Sequence, residues 1–329
     1  MDSIKSRMYE PMIPILEFLG GCIILAIGAD NFLKSSIAIA RRYKLSPVII
    51  GVVLVGFGTS FAEVVVAAVA ASHGNALLAI GNVVGSNIAN IGLVIGIAAI
   101  ITPLAVSSRF IKREFPVLVL VTLIVGTLMW NGYLSRMDGV ILILVLVVHL
   151  IFTLYYGSKD TVLKEELDDG GIAEEEMSFK KALMMWPVGL IFLFISSELI
   201  VDGATQIAVW LHMSQMLIGL TVVAIGTSLP ELATIVLSTL KKQHDVAIGT
   251  IIGSNIFNLL AVLAMPAFIS PTALPKTFMH IDFPLLLGFT LLFYLFAFWP
   301  RKRSDFSRIE GVVLVLLYVG YICLMVYLD

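Results

Sequence analysis

Ten apolar runs, each long enough to cross a bilayer, leave this chain almost no route to a water-soluble fold. They span 13–40, 46–71, 77–101, 115–133, 138–156, 181–210, 215–240, 246–270, 281–299 and 309–328. Crossing about 30 Å of hydrocarbon takes about 20 residues of helix. Only 13% of the residues are charged, against roughly a quarter in soluble domains. Backbone groups cannot stay unpaired in lipid, so the spans are expected to be helices, and no alternating ten-residue pattern marks a barrel. The fold class expected is an all-α integral membrane protein.

Within this apolar background the chain repeats one polar pattern. Gly58-Thr59-Ser60-Phe61-Ala62-Glu63 is echoed by Gly226-Thr227-Ser228-Leu229-Pro230-Glu231, at an offset of 168 residues. The following runs keep the offset: Gly81, Gly85-Ser86-Asn87-Ile88 and Asn90 return as Gly249, Gly253-Ser254-Asn255-Ile256 and Asn258. The acidic stretch 157–181 separates the copies, leaving five runs on either side. Two copies separated by an odd number of crossings insert with opposite orientation, so the pattern predicts an inverted-topology repeat. Residues 1–156 form the first five-helix repeat, with its motif at 56–90. Residues 157–181 are a linker, and 182–329 form the second repeat, with its motif at 224–258.

Lys and Arg set the orientation. With an outside N-terminus, the inner loops hold Arg41, Arg42, Lys44, Arg109, Lys112, Arg113, Lys159, Lys164, Lys180, Lys181, Lys241, Lys242, Arg301, Lys302, Arg303 and Arg308, which is 16 of 21 basic residues. The positive-inside bias then puts the acidic linker in the cytoplasm and both termini outside. Leu19-Gly20-Gly21-Cys22 loosely matches a lipoprotein cleavage site, but Glu17 interrupts the apolar core and the run continues past Cys22, so a membrane helix is expected. Cys22 and Cys323 form no metal or redox spacing. Their positions fit lipid-facing or packing residues better than a disulfide.

The motifs bring oxygen donors to hydrocarbon depth, where uncompensated polarity is costly. Glu63 follows Thr59 by one turn, on one helix face. Gly56 and Gly58 weaken the helix, and Pro230 in the second copy lacks an N–H, so both central helices are expected to be discontinuous, with free carbonyl oxygens near the midplane. Ser86 and Asn90 share a face one turn apart, as do Ser254 and Asn258. Carboxylates, hydroxyls, amide oxygens and carbonyls are the hard donors that Na⁺ and Ca²⁺ take. A protonated glutamate bridging helices is the plainer reading for a single copy. Two glutamates related by a repeat, beside duplicated Ser and Asn, favour a shared cation site.

Other features carry structural readings. Asp30 and Glu198 also lie 168 apart, with Asp202 one turn beyond Glu198, and are read as capping or pairing residues. Gly81-x-x-x-Gly85, Gly92-x-x-x-Gly96 and Gly249-x-x-x-Gly253 permit close helix contact. The histidines His73, His149, His212, His244 and His280 give no metal spacing, and the acidic linker has no D-x-D-x-D-G loop. No nucleophile elbow or phosphate-binding G-x-x-x-x-G-K-[ST] is present, and nothing partners Ser60 or Ser228 as a base. An enzyme or an ATP-driven pump is therefore disfavoured.

G-T-S-x-x-E followed by G-x-x-x-G-S-N-x-x-N, twice in opposed orientation, closely resembles the two alpha repeats of the sodium/calcium exchanger family, the Ca²⁺/cation antiporters, and above all its compact prokaryotic members. The resemblance covers the whole chain. It implies a secondary antiporter of the cell membrane in which helices two, three, seven and eight form the ion sites and helices one and six slide past them. The ligands it implies are Glu63, Glu231, Ser60, Ser228, Thr59, Thr227, Ser86, Ser254, Asn90 and Asn258, with the main-chain oxygens of Gly56 and Ala224. The expected partners are cations (Ca²⁺ or a similar divalent ion, and Na⁺ or H⁺) and the lipid bilayer, with no nucleic acid and no resident cofactor. H⁺ coupling and a passive cation channel stay open as alternatives, as does the oligomeric state.

Two departures from the family pattern matter. Phe61-Ala62 stands where the family usually has Leu-Pro, so the second helix is expected to be less kinked than the seventh. Asn258 stands where well-studied exchangers carry Asp, leaving two carboxylates, which one Ca²⁺ or two Na⁺ would balance.

Overall fold

The computed structural model describes residues 12–43, 45–46, 49–74, 76–107, 110–159, 177–210, 224–276, 278–298 and 305–328. The helices are α1 (Met12–Arg42), α2 (Ile50–Ser72), α3 (Ala76–Ile101), α4 (Lys112–Asn131) and α5 (Arg136–Lys159). After them come α6 (Phe179–Trp210), α7 (Ala224–Thr227 and Leu229–Leu240), α8 (His244–Ile269), α9 (Phe278–Phe298) and α10 (Arg308–Leu328). Among the described residues nine of these are long and apolar enough to cross a membrane, and the described pieces of α7 are shorter. Residues 211–223, the start of the run predicted at 215–240, and most of the linker 157–181 lie outside the described residues.

Helix ends follow local chemistry. Arg41 and Arg42 close α1, where cations suit the helix dipole and the membrane edge. Ahead of α5, the Ser135 N–H and hydroxyl donate to Asp138 Oδ2 at 2.8 and 2.6 Å. Ahead of α10, Ser307 does the same to Glu310 Oε2 at 2.7 and 2.8 Å. Each pair satisfies orphan donors at a helix N-terminus.

The two halves of the chain are tied together reciprocally. Two-residue strands β1 (Leu104–Ala105) and β4 (Asp305–Phe306) pair antiparallel, as do β2 (Tyr133–Leu134) and β3 (Thr272–Ala273). Arg136 Nε donates to the Phe268 carbonyl at 3.3 Å, and Arg308 Nη2 to the Ile101 carbonyl at 3.4 Å. Each tie joins an early segment to a late one, and each has a counterpart with the halves exchanged.

The core lies around α3 and α8. Every residue in the most apolar stretch of α8 is buried, and 72% in α3, against 22% in α1 and in α10. Glycine permits this closeness: a Cβ at Gly96 would sit 2.7 Å from Val315, and one at Gly51 of α2 would sit 2.6 Å from the Val246 carbonyl oxygen and 2.9 Å from Gly249 Cα. Of the predicted packing pairs, Gly92 and Gly96 meet α10 and Gly249 and Gly253 meet α2, whereas no described residue crowds Gly81 or Gly85. α1 and α6 form a second layer, packed on each other at glycines: Gly21 meets Ile200, Gly28 meets Phe192, and Gly189 meets Phe32. α1 runs unbroken through Cys22, and both cysteines are exposed.

Candidate functional site

The central helices open their hydrogen-bond ladders by two different devices. α7 is interrupted at Ser228 (φ −93°, ψ 5°), and a second helical piece starts with Pro230 in its first turn. The expected break in α2 is absent. With Ala62 where α7 has Pro230, the chain instead widens into a π-helical stretch at Ile50–Val55 and then continues as Gly56–Ser72. This bears on the expectation that α2 is the less kinked helix. In α3 and α8, π-helical stretches begin at Asn90 and Asn258 themselves, at Asn90–Ile95 and Asn258–Val262. Such wide turns leave carbonyls under-satisfied and recur at functional sites.

These helices bury the motif side chains together. Glu63 and Glu231 are 1% and 0% exposed, and Thr59, Ser60, Ser86, Asn90, Ser228, Ser254 and Asn258 are buried with them. The Ser60 hydroxyl donates to Glu231 Oε1 in a long contact of 3.5 Å, joining α2 to α7. Thr59 donates to the Val55 and Gly56 carbonyls at 3.1 and 3.2 Å and lies 3.4 Å from the Ser254 hydroxyl. Ser254 in turn reaches the Gly56 carbonyl at 3.4 Å. The Gly56 oxygen therefore faces hydroxyls from α2 and α8. The side chains of Thr227 and Ala224 lie outside what the structure describes, although their backbones form the short helix Ala224–Thr227.

What distinguishes this place is the oxygen it leaves unpaired. Both Glu63 oxygens, Glu231 Oε2, the Ser86 and Ser228 hydroxyls, and the Oδ1 atoms of Asn87, Asn90 and Asn258 are buried without a hydrogen-bond partner. Buried polar atoms are nearly always satisfied, because each orphan costs about 1–3 kcal/mol. Orphans also occur elsewhere among the described residues, at both His149 nitrogens and the Thr153 hydroxyl of α5, whereas buried Thr122, Thr234, Thr250 and Thr290 each donate to the carbonyl four residues back. Orphaned oxygens on the four helices that carry the two buried carboxylates and their motif neighbours are of the type a hard cation takes; contacts join Ser60 to Glu231 and Thr59 to Ser254. Among the described residues no three of His, Cys, Asp and Glu come together, so neutral oxygens supply most of the donors.

Asn255 contacts a predicted site residue, and Asn87 bonds within its own helix. Asn90 Nδ2 donates to Asn255 Oδ1 at 3.1 Å, across the two halves, and Asn87 Nδ2 donates to the Val83 carbonyl at 2.8 Å. The only signal for them was their repetition within G-S-N.

A family model described as sodium/calcium exchanger protein matches this chain twice, over residues 13–155 and 181–327. The chain belongs to the sodium/calcium exchanger family. Its relatives include CaxA of Alkalimonas amylolytica, 38% identical over 94% of this chain and 98% of that protein. The sodium/calcium exchanger MaX1 of Methanosarcina acetivorans is 26% identical, over 95% of this chain and 98% of its own length. Among solved structures, the sodium-calcium exchanger NCX_Mj, soaked with zero Na⁺ and Ca²⁺, superposes with a TM-score of 0.82 at 32% identity, covering 95% of this chain and 98% of that one. This exchanger-family chain is a multi-pass membrane protein, and each of its two family matches contains one copy of the buried motif.

Proposed function

We propose that the protein is a secondary-active antiporter that exchanges Ca²⁺, or a similar divalent cation, for Na⁺ by alternating access. The observation that carries this reading is the pair of buried carboxylates, one from each half, in a nest of unpartnered oxygens. Related structures and relatives named as sodium/calcium exchangers support it. The ligands proposed are Glu63, Glu231, Ser60, Ser228, Thr59, Thr227, Ser86, Ser254, Asn90 and Asn258, with the carbonyls of Gly56 and Ala224.

The architecture proposed is ten crossings in two inverted five-helix repeats, 1–156 and 182–329, joined by a cytoplasmic linker at 157–181, with both termini outside the cell membrane. The strand pairings support it. Segments that pair must lie on one side of the membrane. The chain from β2 to β3 passes through α5, α6 and α8, and a further crossing that includes the described pieces of α7 would bring β2 and β3 to one side, in keeping with their pairing. The same parity governs β1 and β4.

Obligate exchange follows from electrostatics. Two bare carboxylates in a closed, dehydrated site repel each other, so the empty carrier resists switching sides, whereas the loaded one is neutral and moves. Ion-replacement flux in reconstituted vesicles tests this. Uptake of ⁴⁵Ca should require Na⁺ on the opposite face, and uptake that proceeds with no counter-ion would mark a passive channel instead.

A further inference from the structure

α1 and α6 cover the two ends of the core unequally. On α7, Ala233 and Leu237 are partly buried against an apolar cluster built mainly from α1, with Ala29, Phe32, Leu33, Ile37 and Ala40. Their counterparts on α2, 168 positions earlier, are Val65 and Val69, which are 47% and 49% exposed. α1 is thus seated on the end of α7 near Lys241, and α6 does not cover the corresponding end of α2 near His73. One ion pair sits in the covered place: Lys241 Nζ lies 2.7 Å from Asp30 Oδ1 of α1. Lys34, one turn along α1, holds the other oxygen, Oδ2, at 2.9 Å.

The repeat places the same chemistry at the uncovered end. Asp30 corresponds to Glu198 on α6, and Lys241 corresponds to His73 at the end of α2, both at the 168-residue offset. Glu198 and His73 are exposed here and no bond joins them. α1 and α6 touch through backbone at Gly21, Gly28 and Gly189, and Trp186 Nε1 donates to Ser36 Oγ at 3.1 Å, so the two helices must move as one body.

We propose that Asp30 and Lys241 form one position of a two-position latch, the other being Glu198 with His73. Seating α1 on α7 makes the first pair, and carrying the α1–α6 body to the opposite end breaks it and brings Glu198 to His73. By the orientation proposed above, the first pair closes the cytoplasmic side. Lys34 makes the exchange inexpensive, because Asp30 keeps a counter-charge when Lys241 leaves. A half-exposed pair of this kind is worth a population change on the order of fivefold.

The inference rests on alternating access but can be tested without transport. In the full chain with Cys22→Ala and Cys323→Ala, nitroxides at Tyr43→Cys and Leu240→Cys report the α1–α7 distance in nanodiscs. Asp30→Asn and Lys241→Met should each raise the longer-distance population about fivefold, and Lys241→Arg should not. Tethering Glu198→Cys to His73→Cys with a short bismaleimide should convert the spin-labelled protein to the longer distance. Distributions unchanged by Asp30→Asn and Lys241→Met, or a short distance that persists under the tether, would overturn the latch. A background protein showing one distance in Na⁺, in Ca²⁺ and in neither would overturn alternation itself, and the latch with it.

Discussion

Asn90 and Asn255, 165 residues apart in sequence, are joined side chain to side chain at 3.1 Å with both residues fully buried. The bond occupies the Asn90 amide nitrogen and leaves its Oδ1 buried without a partner, free to serve as the proposed ligand atom. Asn255→Leu removes the acceptor, strands Asn90 Nδ2 and frees the amide to turn. Burying an unsatisfied donor costs about 1–3 kcal/mol, so if that cost falls on the Ca²⁺-bound state the half-saturating Ca²⁺ concentration for ⁴⁵Ca exchange should rise about 5-fold to 150-fold. Asn255→Asp, which retains an acceptor oxygen, should preserve a folded, extractable protein. An unchanged half-saturation in Asn255→Leu would show that the bond does not position Asn90.

Glu63 and Glu231 are the only charged groups among the buried site residues, and their substitution separates folding from transport. Glu63→Gln and Glu231→Gln preserve shape and remove one negative charge each. With one carboxylate left, a bound divalent cation carries one uncompensated positive charge, in a medium where unit charges 4 Å apart interact by about 4 kcal/mol at an effective dielectric constant of 20. Uptake of ⁴⁵Ca should fall to the empty-vesicle background while size-exclusion profiles and thermal midpoints stay near those of the parent. Normal uptake by both variants would refute the site.

Gly58 sits against the ring of Phe32, where an added Cβ would lie 2.6 Å from Phe32 Cζ and 3.4 Å from Trp186 Cζ2, and the Phe32 and Trp186 rings pack at a centroid distance of 5.4 Å. The ring has little room to retreat. Gly58→Ala should therefore destabilise the bundle by about 1–3 kcal/mol through overpacking, read as a lower thermal midpoint in detergent. Adding Phe32→Ala should recover part of that loss, because the two positions share one contact. Equal losses in the single and double variants would place the strain elsewhere.

The sequence made the apolar runs and the duplicated polar motif legible because both depend on residue type at fixed spacing. Glu63, Ser60, Glu231 and Asn90 could be assigned to one buried place on that basis. What stayed hidden was backbone geometry. Gly56 and Gly58 weaken α2, yet without a proline at Ala62 nothing forces the chain to break, and the ladder widens at Ile50–Val55 instead. The π-helical stretches starting at Asn90 and Asn258 have no residue signature of their own. The Asn90–Asn255 bond is a tertiary choice between two repeated asparagines, either of which periodicity would allow. Asp30 was legible as a pairing residue, but its partner Lys241 depends on how α1 is seated, which pattern alone does not encode.

The proposed role of Asn258 as a ligand predicts the charge that the carrier moves. Its side chain is fully buried, with neither Oδ1 nor Nδ2 hydrogen-bonded, so it offers a donor oxygen without charge. Two carboxylates balance one Ca²⁺ or two Na⁺. A third Na⁺ would be uncompensated, at a cost of about 4 kcal/mol for each like charge 4 Å away at an effective dielectric constant of 20. Exchange should therefore be close to electroneutral, with ⁴⁵Ca flux in proteoliposomes insensitive to a clamped potential and little current on a solid-supported membrane. Asn258→Asp adds a third carboxylate in the same volume. If the deprotonated form carries the flux, that variant should admit a further monovalent ion and acquire a voltage-dependent exchange current. A robust current in the parent protein, unchanged by Asn258→Asp, would show that coupling is not set by the carboxylate count at this position.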